Sequence, residues 1–213
     1  MAAHVPDNPS AALRYLALGD SYTIGEGVPA HGRWPLQLAE ALRGDGLPLS
    51  PPQLIATTGW TTDELDAGID AAAPAGPFDL VSLLIGVNNQ YRGRPLDEYR
   101  TQFAHLLQRA VGLAGNRPGR VVVLSIPDWG VTPFARGRDS AQIAAQIDAF
   151  NAAAAAVCGQ AGVAFVDITP ASRDRGDSAA MLADDGLHPS AAMYARWTAQ
   201  ALPVVRGLLS DGA

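Results

Sequence analysis

The chain contains no lysine: all fifteen basic residues among its 213 are arginine. That absence excludes a lysine Schiff base and the phosphate-binding lysine of a P-loop, so pyridoxal-phosphate and P-loop ATP chemistry are both out. Cysteine occurs once, at Cys158, which excludes an intramolecular disulfide and a cysteine-rich metal cluster. Cys158 lies in an apolar helical stretch, so it reads as a buried structural thiol rather than a reactive one. No apolar run approaches the ~18 residues that would suggest a membrane span. Met1 to Ala12 has no basic region followed by an apolar core, so it does not read as a secretion signal, and a cytoplasmic chain is expected. Positive charge is in deficit too. The net charge of −6 argues against nucleic acid or an anionic membrane surface as a partner.

What is present is enough for one substantial core. A single domain over residues 13–210 is expected, preceded by an arm over 1–12. Tyr15 to Leu18 reads as a short buried strand that Gly19 ends, and Ile24 to Pro29 as an irregular loop. Trp34, Leu36, Leu38, Ala41 and Leu42 are spaced for an amphipathic helix over 33–42. A second strand, Gln53 to Ala56, leads through Thr57–Thr62 into a helix from Asp63, whose acidic first turn suits the helix dipole. Asp79 to Ile85 is the clearest buried strand. After Gly86–Gln90 the periodicity predicts a helix from Leu96 to Ala114. Arg120 to Ile126 is a fourth strand, 139–160 a helix, and Val163 to Ile168 a fifth strand. A polar loop then reaches His188, and Ser190 can cap a last helix to about Leu209. Strand and helix alternate throughout, which predicts an α/β fold with a mainly parallel five-stranded sheet covered on both faces.

In such a sheet, ligands bind outside the carboxyl ends of the strands. Ser21 follows the first strand, Gly59 the second and Asn88 the third, while Asp185 and His188 precede the last helix. Taken singly, each has a plain reading: Ser21 as a helix cap, Gly59 as a turn residue, Asn88 as a loop-backbone partner, Asp185 as a surface turn, His188 as packing under the final helix. Jointly they form a set. A serine hydroxyl is a weak nucleophile that needs a base in hydrogen-bond reach, and His188 can take its proton and return it to a leaving group. Asp185, three residues earlier on a glycine-containing turn, can reach Nδ1 of that imidazole. The backbone N–H groups of Ser21 and Gly59 and the amide of Asn88 can supply an oxyanion hole.

Gly19–Asp20–Ser21, Gly59, Gly86–Val87–Asn88 and Asp185–Gly186–Leu187–His188 resemble, in that order, the four motif blocks of the SGNH hydrolases, the GDSL-type esterases and lipases. The resemblance runs from Gly19 to the last helix. It implies a flavodoxin-like three-layer sandwich with a five-stranded parallel sheet, and hydrolysis of an ester through an acyl-serine intermediate without a cofactor. One position departs from the pattern: Asn89 stands where the family usually has aspartate.

The substrate expected is a small ester, of short chain or on a carbohydrate; a lysophospholipid or thioester is the alternative within the same fold. Trp60, Gln90, Tyr91, Trp129 and Phe134, all on loops, are candidates to shape its pocket. His4, His31 and His105 have no partner at metal-ligand spacing, and no metal is expected. A metal-dependent phosphoesterase would need further ligands, such as Asp-x-His or Gly-Asn-His, that the chain does not contain. A binding module without turnover would be expected to lack the serine or the histidine. Oligomeric state is not written in the sequence.

Overall fold

A computed structural model describes residues 12–210. The arm expected over 1–12, and His4 with it, lies outside the described residues apart from Ala12. Five strands form one sheet: β1 (Tyr15–Gly19), β2 (Gln53–Ala56), β3 (Leu80–Leu84), β4 (Val121–Leu124) and β5 (Ala164–Val166). Every pairing is parallel, in the order β2-β1-β3-β4-β5. Each strand of the central trio, β1, β3 and β4, is buried from end to end. Burial on both faces is why these strands read as continuous apolar runs and not as alternation. Truncating a residue such as Leu83, fully buried in β3, would cost about 2–5 kcal/mol.

Eight α-helices cover the sheet: α1 (Ser21–Ile24), α2 (Trp34–Gly44), α3 (Thr62–Ala72), α4 (Val87–Tyr91), α5 (Leu96–Leu113), α6 (Ser140–Ala161), α7 (Thr169–Arg175) and α8 (Ala191–Ser210), counted among the described residues. α3, α5 and α6 pack in a row on one face, and α2 against α8 on the other. The long helices fall within a residue or two of where periodicity puts them. α3 begins at Thr62 because Thr61 and Glu64 form a capping box, with Glu64 accepting from the Thr61 N–H at 2.8 Å. Ser190 caps α8 through the Met193 N–H, 3.4 Å away. Cys158 is fully buried in α6, and burial pushes its thiol up to about 12.

Three short helices depart from the sequence reading. α1 starts at Ser21 itself, α4 occupies the motif stretch after β3, and α7 takes the place of the expected polar loop after β5. A helix of one or two turns gains little from propensity. α1 has the Asp20 cap, while α4 and α7, without a side-chain N-cap, stand on tertiary contacts. The sheet order reverses between β1 and β3, so the crevice of this doubly wound sheet opens beyond those two strands. Gly19 pairs with Ala56 on one side and with Leu84 on the other. The three strands therefore end level, and the segments carrying Ser21, Gly59 and Asn88 leave the sheet at one edge.

Candidate active site

Ser21 opens α1. Asp20 caps that helix, accepting the Tyr22 N–H on Oδ1 at 3.0 Å. The N–H groups of Thr23 and Ile24 go to the Asp20 carbonyl at 3.0 and 2.9 Å. The first N–H of a helix has no partner within the helix, and that of Ser21 has none elsewhere among the described residues. Burial pushes the Asp20 carboxyl up to about 7, against the Tyr22 N–H that pulls it down. Its Oδ2 is buried without a hydrogen-bond partner. A proton on that oxygen removes a charge that nothing nearby would solvate.

Asp185 and His188 face each other across a tight turn. Asp185 Oδ1 accepts the backbone N–H groups of Leu187 and His188, both at 2.9 Å, and Oδ2 meets His188 Nδ1 at 2.6 Å. Gly186 makes the turn possible at φ +67°, a conformation that side chains disfavour. Burial raises the Asp185 carboxyl, but the hydrogen bonds from His188 and the two backbone N–H groups outweigh it and hold the group below its usual range. As a carboxylate it can only accept. The imidazole proton therefore sits on Nδ1, leaving Nε2 as the basic nitrogen. The Tyr22 ring meets the imidazole edge-on at 5.7 Å between centroids.

Gly59, at φ +88°, lies on the loop from β2 to α3. That loop is held from α4. Asn88 Nδ2 donates to the Trp60 carbonyl at 2.9 Å, and Arg92, just past α4, donates to the Gly59 carbonyl at 2.6 Å while pairing with Glu64 at 3.3 Å. Like Ser21, Gly59 has an N–H without a partner among the described residues, and Asn88 keeps its second amide hydrogen. Asn89, fully buried, accepts the Thr62 N–H at 3.1 Å and donates to the Thr62 hydroxyl at 2.7 Å. Its role here is to fasten the start of α3.

These parts border one cavity of about 200 Å³, lined by Ser21, Gly59, Asn88 and His188 together with Tyr22, Thr58, Val87, Tyr91, Trp129, Phe134 and Leu187. Of the five residues expected to shape the pocket, Tyr91, Trp129 and Phe134 form its aromatic wall. Trp129 stands 5.3 Å from Tyr91 and 6.1 Å from Phe134, ring to ring. Trp60 and Gln90 need correcting. The Trp60 indole turns away onto Gly68 of α3, where the missing side chain makes room for it. Gln90 is buried behind the wall, accepting from Trp129 Nε1 at 2.8 Å and donating to Gln146 at 2.7 Å. The lining residues that sequence reasoning missed, Tyr22, Thr58, Val87 and Leu187, are each the immediate neighbour of a motif residue. Adjacency was the available signal. Among the described residues, no three His, Cys, Asp or Glu side chains gather as a metal ion would require.

The structure is a doubly wound parallel sheet with a serine, a histidine and an aspartate gathered at its crevice, a set of side chains that hydrolytic enzymes use. Residues 17–196 match the GDSL-like Lipase/Acylhydrolase family. The chain belongs to that family, and it is a carboxylic ester hydrolase. No curated protein matches the sequence. Among solved structures the fold is similar to that of TesA, with TM-score 0.72 and 22% identity over 92% of this chain and 99% of that one. It is also similar to Axe2, an acetyl xylan esterase from Geobacillus stearothermophilus, with TM-score 0.68 and 20% identity over 91% and 94%. The psychrotrophic esterase EstA from Pseudoalteromonas sp. gives TM-score 0.61 and 16% identity over 93% and 94%. No helix among the described residues is long and apolar enough to cross a membrane.

Proposed function

We propose that Ser21 is the nucleophile, His188 the general base and Asp185 its orienting partner, with an oxyanion hole from the N–H groups of Ser21 and Gly59 and the amide of Asn88. His188 Nε2 takes the Ser21 proton as Oγ bonds to the ester carbonyl carbon. The carbonyl electron pair moves onto its oxygen, where the three donors receive it. The intermediate collapses, the carbon–alkoxide bond breaks, and the imidazolium returns its proton to the departing alcohol. Water, deprotonated by the same histidine, then releases the acid and restores Ser21. The observation that carries this reading is the coincidence at one cavity of a serine, a histidine already held in the basic tautomer, and three donors with a hydrogen to spare.

The substrate proposed is a short-chain ester or an acyl group on a carbohydrate. Support comes from the small cavity of about 200 Å³, with Trp129 and Phe134 in its lining. Domain limits at residues 13–210 and a cytoplasmic location, the latter resting on the sequence alone, belong to the same proposal. A serine-directed phosphonate probe tests the site. The expected result is a single adduct on Ser21, absent from Ser21→Ala together with ester hydrolysis. Labelling at another residue, or hydrolysis surviving in Ser21→Ala, would overturn the assignment.

A further inference from the structure

The loop after β4 carries two arginines, Arg136 and Arg138, and neither has a carboxylate within ion-pairing distance among the described residues. Elsewhere in this acid-rich chain most arginines do: Arg109 holds Asp66 and Asp70, Arg173 holds Asp128 and Asp148, Arg94 holds Asp63 and Glu98. Nearby acids are engaged elsewhere or out of reach. Asp139 caps α6 through the Gln142 N–H, and Asp177 borders the outer groove beside both arginines without pairing to either.

Arg138 is placed with care all the same. Its guanidinium lies over the three rings of the cavity wall, 5.1 Å from Tyr91, 5.3 Å from Trp129 and 5.6 Å from Phe134. The attraction of a cation to ring faces holds it there. One N–H reaches the Tyr91 hydroxyl at 3.2 Å. A guanidinium has five N–H donors, so most of its edge remains open to a ligand.

Two of the rings beneath it are half-exposed, Tyr91 at 44% and Phe134 at 42%. A substrate reacting at Ser21 would cover them with an apolar portion and bring whatever follows up to Arg138. A neutral chain end there would strip water from an unpaired cation for no return. An anionic group would meet open donors in a charge-assisted pairing. We infer that this site is specific for esters that carry a carboxylate, sulfonate or phosphate beyond the apolar portion, with Arg138 as the residue that reads it. The inference rests on the reaction proposed above for its location, and its first test needs no turnover.

Two matched pairs supply that test. The acyl pair is the para-nitrophenyl half-ester of glutaric acid against para-nitrophenyl pentanoate. The leaving-group pair is the acetate of para-hydroxybenzenesulfonate against that of para-hydroxybenzenesulfonamide. Calorimetric binding to Ser21→Ala is expected to favour the anionic member of one pair by about tenfold. In the protein with Ser21 intact, kcat/KM should show the same ratio once each ester is normalised to its hydroxide-catalysed rate. A preference in the acyl pair puts the charge on the acid, and one in the leaving-group pair puts it on the alcohol. Arg138→Gln should bring the ratio close to one, and Arg138→Lys should restore part of it.

A binding ratio near one in both pairs would overturn the inference. So would Arg138→Gln lowering neutral and anionic esters in proportion, which would make Arg138 only a prop for the rings. If Ser21→Ala still turned the esters over, the nucleophile assignment would fail, while the binding ratio would still decide the role of Arg138.

Discussion

Arg92 donates to the carbonyl of Gly59 at 2.6 Å, and one turn earlier on α4 Asn88 takes the next carbonyl, that of Trp60. Two consecutive peptide groups of one loop are thus gripped from a single short helix. The proposed oxyanion donors on the two elements therefore move as one unit, fixed before the substrate arrives. Arg92→Ala is expected to lower kcat by about tenfold with little change in KM, because displaced donors cost most where charge develops. Arg92→Lys should recover part of the loss, since an ammonium reaches Gly59 or Glu64 but lacks the fork for both. Steady-state kinetics on one ester decide it; a change confined to KM would make Arg92 a ground-state contact.

Ser21→Ala and His188→Ala should each lower kcat by about 10³-fold or more, and the double variant should be little worse. Nucleophile and base act as a unit, so their losses do not add. Additive defects in single-turnover assays would separate the two residues.

Asn89→Asp is expected to keep its activity and lose a few degrees in Tm. The new carboxylate still accepts the Thr62 N–H, and the Thr62 hydroxyl can turn to donate to it. That hydroxyl must then give up its bond to Gln102. Asn89→Ala leaves the buried Thr62 N–H unpaired and should cost about 1–3 kcal/mol. Denaturant titration and an ester assay on both variants check this. A folded but inactive Asn89→Asp would mean that the loop tolerates no charge.

Asp20 makes stability depend on pH. Its carboxyl is pushed up to about 7 by burial, whereas in the unfolded chain it titrates near an ordinary aspartate. Between those limits the folded state holds a proton that the unfolded state has released, so the contribution of Asp20 falls as pH rises. Asp20→Asn keeps an acceptor for the Tyr22 N–H and cannot titrate. Relative to that variant, the wild type should lose up to about 4 kcal/mol between pH 4 and pH 7 and nothing further above it. Urea denaturation of both proteins across that range measures the difference. A constant gap would show that Asp20 stays charged throughout.

Acyl length should be limited by the aromatic wall. Each buried methylene contributes about 0.8 kcal/mol, so kcat/KM climbs only while the chain finds cover. On para-nitrophenyl esters it is expected to peak from acetate to butyrate and to fall by octanoate. A profile still rising at ten or twelve carbons would replace the short-chain reading with a lysophospholipase or thioesterase.

Most of the scaffold was legible in the sequence because its signals are continuous. Asp79 to Ile85 could hardly be other than a buried strand, and the apolar stripe from Ile143 to Val157 marks a helix on its own. The candidate site could be proposed for a related reason: three of its motifs follow strands and the fourth precedes the last helix, places where chain order points to the crevice. What escaped depends on distant partners. Arg92 looks like any exposed arginine until its contact with Gly59, far earlier in the chain, is seen. α1, α4 and α7 lack the length for a periodic pattern. Trp60 was misread because a loop aromatic can turn either way, yet Gly68 held a clue. A glycine inside a helix often makes room for a neighbour.

The seclusion of Cys158 gives this enzyme a built-in clock. A sole thiol that is fully buried and pushed up to about 12 offers a maleimide or disulfide reagent almost no thiolate to attack. Modification must wait for the packing around α6 to open. Where attack on the opened thiol outpaces reclosing, the labelling rate then counts opening events directly, with no dye or tag to add. A cysteine introduced at an exposed position on the cavity rim would react at once and stand apart from that slow background. One native side chain thereby makes both the whole fold and any chosen point of the rim readable by mass.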